Sequence, residues 1–310
     1  MTQPVPTAKS ARSYMPILAL LLLLGLGTLW GGQTVLARFV AVSGVPAFGY
    51  AFWQMFGAGM ILLIVNFRRG RGLPLTRETI RYYIIMGWIG SAIPTANMYI
   101  ALAEIPAGVN ALVIATVPML TYVFAVGVRT ERFDFRRALG IAIGMGGVAV
   151  MLVPKGSLPE PGMITFVLIA FITPFLYAGS TIYAARHKPP DADPLQMACG
   201  MMLASSLLLL PVSLATGNFH PLWVDFGLRE GLMIVHSCTT ALTFSLYFII
   251  LTKAGPVYIS QVAYIVTASA IGWGMLVLGE RHSPWIWVAV ALIVGGVALV
   301  NSRQRALAGK

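Results

Sequence analysis

Charged residues are scarce in this chain: Asp, Glu, Lys and Arg together make up 10% of its 310 residues. A water-soluble globule carries roughly a quarter, because its shell must stay hydrated, so the shortage excludes one. Acids are scarcer still, ten against 21 Lys and Arg, and none of the ten falls in the middle of an apolar run. The two cysteines, Cys199 and Cys238, lie inside apolar runs, where a thiol acts as a small hydrophobe, so neither a disulfide nor a thiolate metal site is expected. There are four histidines, and neither H-E-x-x-H nor G-x-S-x-G occurs. The expectation is therefore no metal, no cofactor and no enzyme, the intramembrane protease or lipid transferase being the reading these absences disfavour.

What the chain has in abundance is apolar surface. Hydrophobic residues are 58% of it, and the mean hydropathy is +0.82. A helix needs roughly 20 apolar residues to cross a hydrocarbon core, and only helices or closed barrels satisfy every backbone group there. Continuous runs such as Met15 to Leu29 and Trp285 to Val300 lack the period-two alternation of a barrel strand. Breaks rich in charge, Gly or Pro leave ten segments, near 16–36, 47–66, 82–103, 107–129, 136–153, 162–184, 195–215, 229–251, 255–278 and 284–301. The third and fourth are parted only by Glu104, Ile105 and Pro106, which read as a tight turn. The first segment reads as a span rather than a leader, since it is longer than a leader's apolar core and no small-residue cleavage site follows before Trp30.

The loops test this count independently, because cytoplasmic loops should hold the Lys and Arg. With the N-terminus inside, only Arg38, Lys155, Arg229 and Arg281 of the 21 basic residues fall outside. Nine or eleven crossings would scramble that alternation. The expected fold is all-α and polytopic, ten transmembrane helices with both termini cytoplasmic. The net charge of +11 then belongs to membrane-flanking loops and not to a nucleic-acid surface.

The two halves of the chain resemble each other. Glu131-Arg132 precedes Gly146-Gly147-Val148-Ala149 as Glu280-Arg281 precedes Gly295-Gly296-Val297-Ala298, at a shift of 149 residues. Trp30-Gly31-Gly32-Gln33-Thr34 echoes Tyr177-Ala178-Gly179-Ser180-Thr181, and Tyr99 matches Tyr247. Five spans is an odd number, so a second copy enters the membrane from the opposite side, and residues 1–154 and 155–310 are expected to be inverted five-helix repeats. Inverted halves can exchange conformations and so expose one midplane site to each side in turn, which points to a transporter rather than to a passive channel.

Trp30-Gly31-Gly32, Pro118, Glu131-Arg132, glycines 140, 144, 146 and 147, and their second copy in Gly279-Glu280-Arg281 and Gly295-Gly296 resemble the drug/metabolite transporter superfamily, in its ten-helix EamA-type branch. The resemblance covers essentially the whole chain. It implies a bacterial inner-membrane exporter of amino acids, aromatic ones among them, or of related metabolites, with a central cavity between the halves. One position departs from the pattern: Thr267 stands where Pro118 repeats, leaving open whether the ninth helix bends like the fourth.

Polar side chains in a bilayer core are costly unless they face a cavity or each other, so their positions mark candidate substrate contacts. His236, Thr240, Thr243 and Tyr247 fall on one face of the eighth helix, and Trp88, Thr95 and Tyr99 on the matching face of the third. Trp30 and Gln33 pair with Tyr177 and Ser180 in the repeat, while Asn97, Asn110, Gln261 and Tyr264 add amides and a phenol. Interhelical packing is the alternative role for each of them. Donors and acceptors without fixed charge suit a neutral or zwitterionic small molecule, since a phosphate ester would call for buried Lys or Arg and a cation for a buried carboxylate. Pro118 is the candidate hinge, and the partners expected are that small molecule and the lipid bilayer.

Overall fold

In a computed structural model of the chain the described residues are 8–152, 160, 162–187, 189, 193–254 and 262–308, with side chains described for 20–152, 160, 162–184, 186–187, 189, 193–247, 249–250 and 262–300. Among them regular structure is helical throughout. In chain order the helices are α1 (Ala8–Val42), α2 (Ala47–Arg68), α3 (Arg77–Gly87), α4 (Ile93–Glu104), α5 (Ala107–Ile114), α6 (Val117–Gly127), α7 (Phe135–Leu152), α8 (Met163–Ala170), α9 (Ile172–His187), α10 (Pro194–Ala215), α11 (Leu228–Ala254), α12 (Val262–Val277) and α13 (Pro284–Ala308). Joined across short interruptions, α3 with α4, α5 with α6 and α8 with α9, they form ten spans in the expected order. Seven of these are long and apolar enough to cross a membrane, and Val262–Val277 and Pro284–Val300 are shorter apolar helices.

Each interruption has a proline as its cause, because proline lacks the N–H that would bond the carbonyl four residues back. Pro94 would leave the Gly90 carbonyl unpaired, and the turn before it is a π-helix over Trp88–Ala92. Pro118 opens α6 after a break at Ala115 and Thr116, where the Thr116 hydroxyl donates to the Val113 carbonyl at 2.6 Å. Pro174 stands one turn after the break at Phe171. The ninth span differs from the fourth: α12 runs unbroken through Thr267, whose hydroxyl donates to the Ala263 carbonyl at 2.9 Å.

Packing between spans obeys a twofold pattern. The first span lies along the ninth, and the sixth along the fourth; the second meets the eighth, and the seventh the third. The second and seventh pack on each other, as do the fifth and tenth. Exchanging each span for the one five later maps this set onto itself, as two inverted halves require.

Glycines set the closest approaches. A Cβ on Gly140 of α7 would stand 2.7 Å from the Gly296 carbonyl of α13, and one on Gly31 of α1 would stand 2.7 Å from the Ala270 nitrogen of α12. Small residues at such crossings let helix backbones meet where no hydrophobic effect drives them together. The outer face of the bundle is apolar in turn, with Leu207 73% and Leu276 81% exposed. Surface of that kind belongs against lipid.

Candidate substrate-binding site

Two polar clusters bridge the halves, and α11 contributes to both. The first begins on α2, where Tyr50 and Gln54 stand one helical turn apart. The Tyr50 hydroxyl is 2.6 Å from His236 Nδ1, and Gln54 Nε2 is 3.0 Å from His236 Nε2 and 2.9 Å from the Thr240 hydroxyl. From α4 the Tyr99 hydroxyl donates to Gln54 Oε1, and its ring stacks on Tyr50 with centroids 4.2 Å apart. All five side chains are buried.

These contacts fix the tautomer of the imidazole. Tyr99 donates to the amide oxygen, so the amide nitrogen of Gln54 faces the ring and donates to Nε2. Nε2 then accepts, and the ring proton sits on Nδ1, pointing at the Tyr50 oxygen. A second ring proton would face the Gln54 N–H head on, so the network as built holds His236 neutral. The cluster lies toward the outer surface: Tyr50 is three residues into α2 and His236 eight into α11, depths of roughly 5 and 12 Å at the helical rise.

The second cluster sits deeper, between α1 and α11. Gln33 Nε2 donates to the Thr243 hydroxyl at 3.4 Å, and the Trp30 ring meets Tyr247 at 5.7 Å and Phe244 at 6.2 Å. Trp30, Gln33 and Tyr247 are only half-buried although they lie within their spans. The single face of α11 read from the sequence therefore serves two neighbours, its outer half meeting α2 and its inner half α1.

The remaining candidates divide. Asn97 donates to the Ile169 carbonyl and to the Thr173 hydroxyl, both at 2.9 Å, tying α4 to α8 and α9. The Ser180 hydroxyl bonds the Tyr177 carbonyl at 2.9 Å, and its Cβ lies against Gly90 in the π-turn. Thr95 is buried, and Tyr177 and Tyr264 are half-buried. Asn110 is 1% exposed, and among the described residues neither of its amide atoms has a partner. Trp88 is 44% exposed on the outside of the bundle; it opens the π-turn, whose wider winding turns it off the face shared by Thr95 and Tyr99. Gln261 lies outside the described residues.

Sequence reasoning missed Tyr50 and Gln54. An amide one turn from a phenol in an otherwise apolar run was a usable signal. It also missed the ion pair between Arg38 and Glu280, which the numbering separates by most of the chain.

Ten spans in two inverted halves, with uncharged polar clusters between them, define a polytopic membrane transporter. The model of the EamA-like transporter family matches residues 17–153 and again 164–302, and the chain belongs to that family. It is 28% identical over 289 residues to the uncharacterized inner membrane transporter YedA of Escherichia coli, covering 90% of this chain and 89% of that one. It is 25% identical over 200 residues to a probable terminal-alkyne amino-acid exporter of Streptantibioticus cattleyicolor, covering 64% and 66%. A solved crystal structure shares the fold, at a TM-score of 0.62 and 20% identity over 93% of this chain and 98% of that one.

Proposed function

We propose that the protein exports a small neutral or zwitterionic metabolite, with amino acids as the substrate class, by alternating access between the halves 1–154 and 155–310. The observation that carries this reading is the chemistry of the interior. The side chains shared by the halves are phenols, indole, amides, hydroxyls and a neutral imidazole, and the ionised groups lie at span ends. Such groups offer a carboxylate its donors and an ammonium its acceptors without committing a net charge. The amino-acid exporter among its relatives supports the same class.

In this reading Trp30, Gln33, Thr243 and Tyr247 contact the substrate, with Tyr177, Tyr264 and the unpartnered amide of Asn110 completing the chamber. Tyr50, Gln54, Tyr99 and His236 form its outer roof, and the break before Pro118 is the hinge. The protein is a carrier and catalyses no covalent step. Reconstitution in liposomes with a panel of radiolabelled amino acids tests it: at least one should move in a saturable manner, and less with Trp30→Ala. Transport of a sugar phosphate or an organic cation with no amino acid moved would refute the substrate class.

A further inference from the structure

The two ends of the molecule use one repeated acid and base differently, although the repeat supplies both ends with the same two residues. At the outer end Glu280, in the turn between α12 and α13, lies 3.3 Å from Arg38 near the end of α1. Its carboxylate also accepts the Ala107 N–H at 2.6 Å and the Gly108 N–H at 3.2 Å, in the first turn of α5. Arg38 donates to the carbonyls of Leu102 at 2.6 Å and Ile105 at 2.5 Å, where α4 ends. One acid and one base thus tie the first, third, fourth and ninth spans together. Both side chains are largely buried, 19% and 8% exposed, which strengthens their attraction relative to a surface pair.

The repeat places Arg186 at the position of Arg38 and Glu131 at that of Glu280, at shifts of 148 and 149 residues. Arg186 is already at the matching corner: from the last turn of α9 it donates to the Val128 carbonyl at 2.7 Å, three residues before Glu131. Among the described residues these two do not pair. Glu131 is instead 3.1 Å from Arg137, whose guanidinium lies over the Tyr122 ring at 4.9 Å. The repeat equivalents of Arg137 and Tyr122 are Ile286 and Ile271, so no arginine stands in the competing position at the outer end, where the His282 imidazole lies 3.6 Å from Glu280 instead.

We propose that Arg186 and Glu131 are the inner latch of the transport cycle, pairing when Arg38 and Glu280 part, with Arg137 holding Glu131 aside while Arg38 and Glu280 are paired. The proposal rests on the alternating-access reading. The same sequence element then closes each end in turn, and the two pairs are mutually exclusive because each belongs to one tilt of the halves. Arg186 and Glu131 act on the equilibrium between states and need not touch substrate.

Cross-linking in native membrane vesicles tests this without knowledge of the substrate. With Cys199→Ala and Cys238→Ala as background, the pair Arg186→Cys and Glu131→Cys is exposed to a short bifunctional thiol reagent. The yield should be low with the outer latch intact and rise about fivefold when Glu280→Gln or Arg38→Gln removes it. Two outer-latch variants are used so that one failing to insert leaves the other. A yield that ignores both variants, or no cross-link at all, overturns the proposal. A charge exchange gives a second reading: Arg186→Glu with Glu131→Arg should transport severalfold faster than either single variant, and additive losses would argue against the pair. Cross-linking that responds while no amino acid moves defeats the substrate reading alone. Amino-acid transport with an unresponsive yield defeats the latch alone.

Discussion

His236 has both ring nitrogens occupied, and the amide that occupies one of them is itself oriented by Tyr99. Removing Gln54 therefore orphans three groups at once. Gln54→Leu should cost about 1–3 kcal/mol of stability, the penalty for buried groups left without partners. Tyr99→Phe should cost less, since only one donor is lost and the stack on Tyr50 survives. Thermal unfolding in detergent ranks the two, and equal losses would mean that Gln54 does not organise the cluster. His236, Thr240 and Tyr99 were legible in the sequence because period 3.6 puts them on helix faces. Tyr50 and Gln54 were not, because what makes them important is a partner on another helix. Trp88 misled for the opposite reason, since a local π-turn cancels the periodicity that had aligned it with Tyr99.

At the scale of helices, the glycines and the caps make separate predictions. Gly296→Val should destabilise the contact between α7 and α13 by several kcal/mol, because its Cβ would meet backbone atoms of Gly140 and Gly144 that cannot retreat. Gly295→Val, where a Cβ meets open space, should cost under 1 kcal/mol, and a melting comparison separates them. Asp193 caps α10 by accepting from the Leu195 N–H at 2.9 Å and pairs with Arg69 and Arg71 across the inner loops. Burial pushes its carboxyl up, but the Leu195 N–H and the two guanidinium groups outweigh that and leave it below the ordinary range. A depressed acid stabilises the fold above the unfolded value and loses that contribution as pH falls through the folded one. The thermal midpoint should thus fall as the pH drops below the ordinary carboxylate range, about 4, and Asp193→Asn should lower it at neutral pH and flatten the acid limb. The span count was legible because hydropathy and loop charge constrain it independently. Prolines in the apolar runs predict interruptions at Pro94, Pro118, Pro174 and Pro211; the first three occur, whereas Pro211 lies inside α10 without one, since neighbouring helices decide whether a proline bends its own.

For the whole molecule, inversion was legible from an odd number of spans per repeat, and the twofold pairing of spans follows from it. The difference between the ends was not legible, because a repeat specifies what is shared and a conformational state is what breaks the likeness. In the structure the Tyr50, Gln54, Tyr99 and His236 cluster is buried, and Arg38 pairs with Glu280 at the same end. Trp30 and Tyr247 stay half-buried below it.

The most direct measurement is the sidedness of Tyr247→Cys, with Cys199→Ala and Cys238→Ala, toward a membrane-impermeant thiol reagent in right-side-out and inverted vesicles. One chamber shared by inverted halves predicts modification from the cytoplasmic side in the resting protein, with modification from the outer side appearing on Glu280→Gln. Modification from the outer side while the Arg38 and Glu280 pair is intact, or a sidedness that Glu280→Gln leaves unchanged, would contradict it.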